Sequence, residues 1–212
     1  MLNEINVITI FPEIINEWKK YGIVSQGIKK NLVTVNVYDL RKWGIGSYRQ
    51  VDDAPYGGGP GMVMMVEPLD KALENIDSDK NIFLTPSGEE FTEDVSLQII
   101  KISSVTIVCG RYEGFDKRII EMHSDYEISV GKTVVSGGEV PSLFVMESLI
   151  RKIPNVLGND DSLTHETYTN RKIDYPVYTR PEDYKGHKVP EILLSGNHQE
   201  IKNWKKNNLK DM

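Results

Sequence analysis

The stretches of this sequence able to do chemistry are built around glycine rather than around clustered nucleophiles. Residues 128–141 read ISVGKTVVSGGEVP. Two short β-branched pieces flank Gly131, the Gly137-Gly138 pair permits a sharp turn or close approach to a ligand, and Glu139 with Pro141 suits the first turn of a helix. Such a segment offers peptide N–H and C=O groups, which would hold an adenine edge and a ribose while leaving a ligand's reactive end free. The alternative is a plain buried loop between strand and helix. A second cluster, VDDAPYGGGPGM at residues 51–62, carries three consecutive glycines and two prolines that exclude both helix and regular strand. It lies in and just beyond a structure-poor segment, residues 41–60, of a length usually functional or disordered.

Several chemistries are excluded. GKT at residues 131–133 resembles the end of a phosphate-binding P-loop, but Tyr126 stands where its first glycine belongs. Neither glycine cluster satisfies the spacing of a dinucleotide-binding turn. His123, His165, His187 and His198 are far apart and lack metal-ligand spacing, so no zinc site is expected. Ser129, Ser136 and Ser195 lie in no nucleophile elbow. The single cysteine, Cys109, ends the apolar run VTIVC and is expected to be a buried thiol in a reducing cytoplasm.

These segments need a scaffold. Residues 5–11 form an apolar run closed by Pro12, typical of a strand buried on both faces, and helical spacing follows at Ile14, Ile15 and Trp18 until Gly22 stops it. Residues 33–40 alternate as a second strand. Residues 67–75 read as helix, 81–85 as strand turned at Pro86 and Gly88, 92–101 as helix, 105–109 as strand, 118–122 and 139–152 as helices. Strands alternating with helices imply an α/β domain with a mainly parallel sheet, whose ligands sit beyond the strands' carboxyl ends. The turns at Thr85-Pro86, at Gly110 and at residues 131–138 would then converge on one edge. Residues 155–174 lose periodicity and read as linker; Asn197 caps a helix running to about Leu209. Lys202, Lys205, Lys206 and Lys210, with Lys185, His187 and Lys188, are either a solvated face or an RNA phosphate contact.

With 212 residues, 39% hydrophobic and 26% charged, the chain suits one full domain and a smaller appendage. Its net charge of -6 argues against bulk non-specific nucleic-acid affinity while permitting a local basic patch. The apolar run at the N-terminus is too short for a signal peptide and no stretch is long enough to span a bilayer, so a cytoplasmic protein without membrane contact is expected.

Taken together, VDDAPYGGGPGMVMMVEP, FLTPSG, VCGRYEGFDKR, ISVGKTVVSGGEVP and YTRPEDYKGHKVPEILLSGNHQEIKNW are more specific than any one of them. The chain resembles, over nearly its whole length, the bacterial tRNA (guanine-N1)-methyltransferases that modify the base at tRNA position 37, next to the anticodon. The resemblance implies a SPOUT α/β fold, a mainly parallel sheet with helices on both faces and a C-terminal trefoil knot. It implies three parts: a cofactor-binding domain at residues 1–157, a flexible linker at 158–175, and a small, shortened helical tRNA-binding domain at 176–212. It also implies a homodimer whose active sites are shared, tRNA as partner, S-adenosylmethionine as cofactor, and magnesium associated with activity without an evident metal cage. The cofactor residues carried over are Leu84, Thr85, Pro86, Gly110, Tyr112, Gly114, Val130, Gly131, Lys132, Thr133, Val134, Val135, Gly137, Gly138 and Pro141.

Methylating guanine N1 requires a base to remove its proton, and a cation near the guanine oxygen would offset the charge that builds there. The resemblance places an arginine at Arg151 and the general base at Glu166, where the family has Asp. One added methylene displaces a carboxyl by a distance that catalytic geometry registers. Asp174 is the reserve carboxylate, and Glu113 is a candidate for magnesium or for the cofactor's ammonium. Asp52 and Gly61 belong to the loop that would accept the flipped guanine, with Tyr56 and Tyr112 either stacking or filling space. Two other readings stand beside this one: an RNA-binding SPOUT protein with weak or lost catalysis, and a ribose 2′-O-methyltransferase.

Overall fold

A computed structural model describes residues 1–158 and 172–211. The chain divides into two compact units, residues 1–158 and 159–212. In the first, chain order runs β1 (Glu4–Thr9), α1 (Pro12–Trp18), α2 (Gly22–Lys29), β2 (Thr34–Asp39), a single 3-10 turn (Leu40–Trp43), β3 (Asp52–Asp53), β4 (Val63–Met64) and α3 (Val66–Asn75). It continues through β5 (Lys80–Glu90), α4 (Glu93–Ile99), β6 (Ser104–Cys109), α5 (Lys117–His123), β7 (Tyr126–Ser129) and α6 (Glu139–Ile150).

The main sheet has the order β2-β1-β6-β5-β7, with every neighbouring pair parallel. Its strands read as near-continuous apolar runs because both faces are covered. Ile5, Val7, Ile82, Leu84, Val105 and Ile107 meet Ile15 of α1, Val24 of α2, Val95 and Ile99 of α4, and Val145, Met146, Leu149 and Ile150 of α6. The alternate residues Ile8, Phe83 and Val108 meet Leu69, Ala72 and Leu73 of α3 and Ile119 and Ile120 of α5. Phe83 is fully buried and takes Phe115 edge-on at 5.2 Å, which ties the core to the turn after β6. Such a pair contributes roughly 1 kcal/mol beyond its buried area.

Three sequence expectations need correction. Gly22 does not simply stop a helix: with φ 60° it redirects the chain and opens α2, whose interior Gly27 leaves room for Val33 and Val156. Pro86 and Gly88 do not end the third long strand. β5 continues to Glu90, and Leu84 and Glu89 both pair with Ile128 of β7, so residues 85–88 bulge out of the ladder. Gly88 carries no side chain because a Cβ there would meet the Glu127 carbonyl. Residues 41–60 are also more ordered than their composition suggests, holding most of the 3-10 turn, an Ile45–Gln50 bridge and β3, which pairs with β4 just beyond.

The second unit contains β8 (Lys172–Ile173), β9 (Asp183–Tyr184), β10 (His187–Lys188), α7 (Glu191–Leu194), α8 (His198–Asn207) and β11 (Lys210–Asp211). Asn197 caps α8 by accepting from the Gln199 and Glu200 amides. Trp204 packs against Tyr175 and Tyr178. This unit is mixed rather than purely helical, because β9 pairs with β10 and β8 with β11.

Candidate active site

Because β6, β5 and β7 are parallel neighbours, their carboxyl ends share one edge of the sheet. The chain leaving each end lines a single cavity of about 540 Å³, within the roughly 300–1,000 Å³ usual for small-molecule sites. The β5 bulge contributes Leu84, Thr85 and Pro86; the turn after β6 contributes Gly110, Tyr112 and Gly114; the segment after β7 contributes Val130, Thr133, Val134, Val135, Gly137, Gly138 and Pro141. The Gly138 amide donates to the Gly110 carbonyl at 2.7 Å. A Cβ on Gly138 would lie 2.8 Å from the Cys109 Cα and the Gly110 nitrogen, and one on Gly110 would lie 2.9 Å from the Leu84 carbonyl oxygen. These glycines are required because three stretches of backbone close on one another.

One ion pair fixes that closure. The Arg111 Nε donates to Glu139 at 2.8 Å, and the Thr9 hydroxyl donates to the other Glu139 oxygen at 2.7 Å. Glu139 is 1% exposed and opens α6, where a carboxylate is favoured by the helix dipole. Arg111 also donates to the Ser136 carbonyl, stacks its guanidinium 4.5 Å over the Phe11 ring, and fills the space that a Cβ on Gly137 would need. One side chain thereby joins the ends of β1 and β6 to the first turn of α6. The Cys109 thiol beneath is driven well above its ordinary range by burial and then by the Glu139 charge, so it is inert.

The second glycine cluster adjoins this cavity. The Glu113 amide donates to the Met62 carbonyl, the Met64 amide to the Gly114 carbonyl, and the Asp116 amide to the Met64 carbonyl. The Glu113 carboxylate lies against Gly61 where a side chain would otherwise stand. Asp52, on β3, is the carboxylate nearest in charge effect to the Tyr112 phenol; burial first, then the Asp52 charge, holds that phenol above its usual range. Tyr112 sits at φ 59°, left-handed for a residue with a side chain, which turns the chain between the two loops. Tyr56 is fully exposed and fills no space.

Some expected residues stand apart. Gly131, at φ 77°, and the exposed Lys132 are outside the cavity lining. Arg151 is the C-terminal cap of α6, seven residues beyond the lining residue Phe144 and so about 10 Å along the helix. Glu166 lies outside the described residues, and Asp174, whose carboxylate accepts from the Tyr175 amide, belongs to the second unit. Ser87, Phe115 and Phe144 line the cavity from outside the three expected cofactor segments, while Arg111, Ile128, Ser129, Ser136 and Val140 lie within those segments without being named individually. Arg111 had a signal in the string GRYEG, but its partner Glu139 is 28 positions away and no local pattern links them. Among the described residues no group of three or more His, Cys, Asp or Glu side chains is placed to hold a metal ion, and no helix is long and apolar enough to cross a membrane.

Known proteins share this arrangement's sequence. The family model described as tRNA (Guanine-1)-methyltransferase TrmD matches residues 3–211. The chain is 42% identical to the tRNA (guanine-N(1)-)-methyltransferase of Nitrosospira multiformis, across 97% of this chain and 84% of that protein. It is 41% identical to the enzyme of that name from Ehrlichia canis, across 98% and 90%, and 42% identical to that from Prochlorococcus marinus, across 95% and 83%. With the model and the relatives covering nearly every residue, the chain belongs to the tRNA (guanine-N1)-methyltransferase family.

Proposed function

We propose that this protein transfers the methyl group of S-adenosylmethionine to N1 of a tRNA guanine, at position 37 beside the anticodon. The observation that carries this reading is the single cavity lined by three glycine-broken turns, with the residues 51–62 loop against its wall. The cavity fits the cofactor: Leu84, Ile128, Val130 and Pro141 offer apolar surface for an adenine, and the turn backbones together with Thr85, Ser129, Thr133 and Ser136 supply polar groups. Bound there, S-adenosylmethionine would supply an electrophilic methyl on a sulfonium. Glu113 is the lining carboxylate available to an ammonium group or to magnesium.

The acceptor side falls to other residues. Asp52 and Gly61 receive the guanine, Glu166 takes the N1 proton, and Arg151 offsets charge on the guanine oxygen. Arg151 stands two helical turns past Phe144, the last lining residue of its own α6, and a homodimer in which each site draws on both chains would bring it to the other chain's cavity. Val140 and Phe144 of α6 are 64% and 55% exposed beside the cavity, apolar surface that a second chain would cover. The segment after β7, held against residues 109–111, is where this reading puts the trefoil knot. The second unit, with Lys202, Lys205 and Lys206 on α8, grips tRNA, and the protein acts in the cytoplasm.

Purified protein, labelled cofactor and a tRNA transcript with guanine at position 37 test the reading. Methyl transfer is expected, located on the base rather than the ribose by mass spectrometry of nuclease digests, and lost in Arg151→Ala and Glu166→Gln. Cofactor binding without transfer at high enzyme would leave an RNA-binding protein instead; methylated ribose would make it a 2′-O-methyltransferase.

A further inference from the structure

Residues 40–50, LRKWGIGSYRQ, carry Arg41, Lys42 and Arg49 and no acidic residue, in a chain whose net charge is -6. The stretch is not a slack loop. The Ile45 amide donates to the Gln50 carbonyl at 2.8 Å and the Gln50 amide to the Ile45 carbonyl at 2.9 Å, closing a turn in which the Arg49 amide donates to the Gly46 carbonyl. Gly46 at φ 68° and Arg49 at φ 51° take left-handed backbone, and the Arg49 backbone occupies the place of a Cβ on Gly44. Trp43 braces the base against Tyr38, and Gln50 donates to the Asp52 carbonyl. On top of this turn Tyr48 is 96% exposed, and Lys42 and Arg49 are exposed without an ion pair among the described residues. Arg41, by contrast, is engaged by Asp39, Phe11 and the Ile10 carbonyl.

A single exposed tyrosine needs no explanation. An aromatic ring held out on a stiff turn between unpaired cations is a different object, since its ordering costs little entropy on binding. Its position matters as well. Tyr48 precedes Asp52 by four residues, a reach of at most about 14 Å, and Asp52 joins the residues 51–62 loop to Tyr112 of the cavity.

We infer that the turn at residues 46–49 is a second RNA contact: Tyr48 stacks on an unpaired base flanking the target guanine, while Arg49 and Lys42 meet backbone phosphates. The inference rests on the reading of tRNA as substrate and deepens it. Single-stranded loops are recognised in this way, by aromatic faces with cations along the backbone.

The test uses the full-length protein and the same tRNA transcript. Tyr48→Ala is expected to weaken tRNA binding about tenfold, with cofactor affinity by calorimetry unchanged, and Tyr48→Phe to restore it, since stacking needs the ring and not the hydroxyl. Arg49→Ala is expected to lower the slope of log affinity against log salt by about one. Wild-type tRNA affinity in Tyr48→Ala overturns the inference, as does a change of sedimenting mass at unaltered tRNA affinity, which would make the turn a protein contact. Absence of methyl transfer by wild-type protein that still binds tRNA through Tyr48 would instead sink the proposed activity and leave this contact standing.

Discussion

Two glycine clusters shape this molecule, and they are glycine for different reasons. Gly88, Gly110, Gly137 and Gly138 stand where a Cβ would strike backbone or the Arg111 side chain. Gly57, Gly58 and Gly59 have nothing within 4 Å of that position and instead take φ of 86°, 77° and 124°. The first set is dictated by packing and makes the cavity rigid; the second is dictated by conformation and leaves a loop free to meet a large partner. The pocket for a small ligand is thus pre-formed, while the surface for the macromolecule is left open.

The largest effect on ligand binding is expected from Gly138→Ala. Its methyl would meet the Cys109 Cα and the Gly110 nitrogen at 2.8 Å, and neither belongs to a side chain able to move aside. Overpacking of this kind costs about 1–3 kcal/mol, and displacement of the loop should reduce cofactor affinity about a hundredfold. Calorimetry with the cofactor decides it, and unaltered affinity would remove close packing as the reason for glycine there. Glu139→Gln comes next. It strips the Arg111 guanidinium of its charge partner while the Thr9 bond remains possible, and urea denaturation should show a loss of about 3 kcal/mol, toward the low end for buried pairs because the Arg111 side chain is 20% exposed. A loss under about 1 kcal/mol would rank the pair with surface ion pairs.

The scaffold was legible because burial on both sides leaves a direct trace in residue type. The run at residues 105–109 is apolar but for Thr106 and that at 5–10 but for Asn6 and Thr9, and the helical spacing at Leu69, Ala72, Leu73 and Ile76 states which face of α3 is covered. α2 is not legible in the sequence because Gly22 reads as a stop, and because Gly27 lies in a helix interior for its contact with Val33 and Val156, which no local pattern reports. The β5 bulge reads as a strand end for a similar reason: Pro86 and Gly88 signal a departure from regular pairing without saying whether the strand resumes. The glycine-rich turns showed where a ligand would go. The Arg111–Glu139–Thr9 tie that closes them was invisible, since its members lie 28 and 130 positions apart and only the sheet order brings them together.

In the open cluster, Gly58→Ala should behave unlike Gly138→Ala. No atom obstructs the methyl, so the only cost is the left-handed backbone at φ 77°, about 1 kcal/mol for a residue with a Cβ. Cofactor affinity is expected to stay at the wild-type value while KM for tRNA rises a few fold. A matching loss of cofactor affinity would show the two clusters to be one rigid unit and dissolve the distinction between them.

The smallest effect probes the link between the clusters, the influence of the Asp52 carboxylate on the Tyr112 phenol. Burial is the first cause of the raised phenol and the Asp52 carboxylate the second, so Asp52→Asn should bring the titration part of the way back toward the ordinary value near 10. The protein has ten tyrosines, and subtracting the phenolate absorbance of Tyr112→Phe isolates this one. The sign for stability follows from linkage. Because the folded state keeps the proton to higher pH than the unfolded chain, the contribution is complete below the unfolded value and is lost as pH rises toward the folded one. Tyr112 is 45% exposed, so the loss is small and best seen as a steeper fall of Tm above pH 10 in the wild type than in Tyr112→Phe. An Asp52→Asn titration identical to the wild type would mean that the loops communicate only through the backbone bonds at Met62 and Met64.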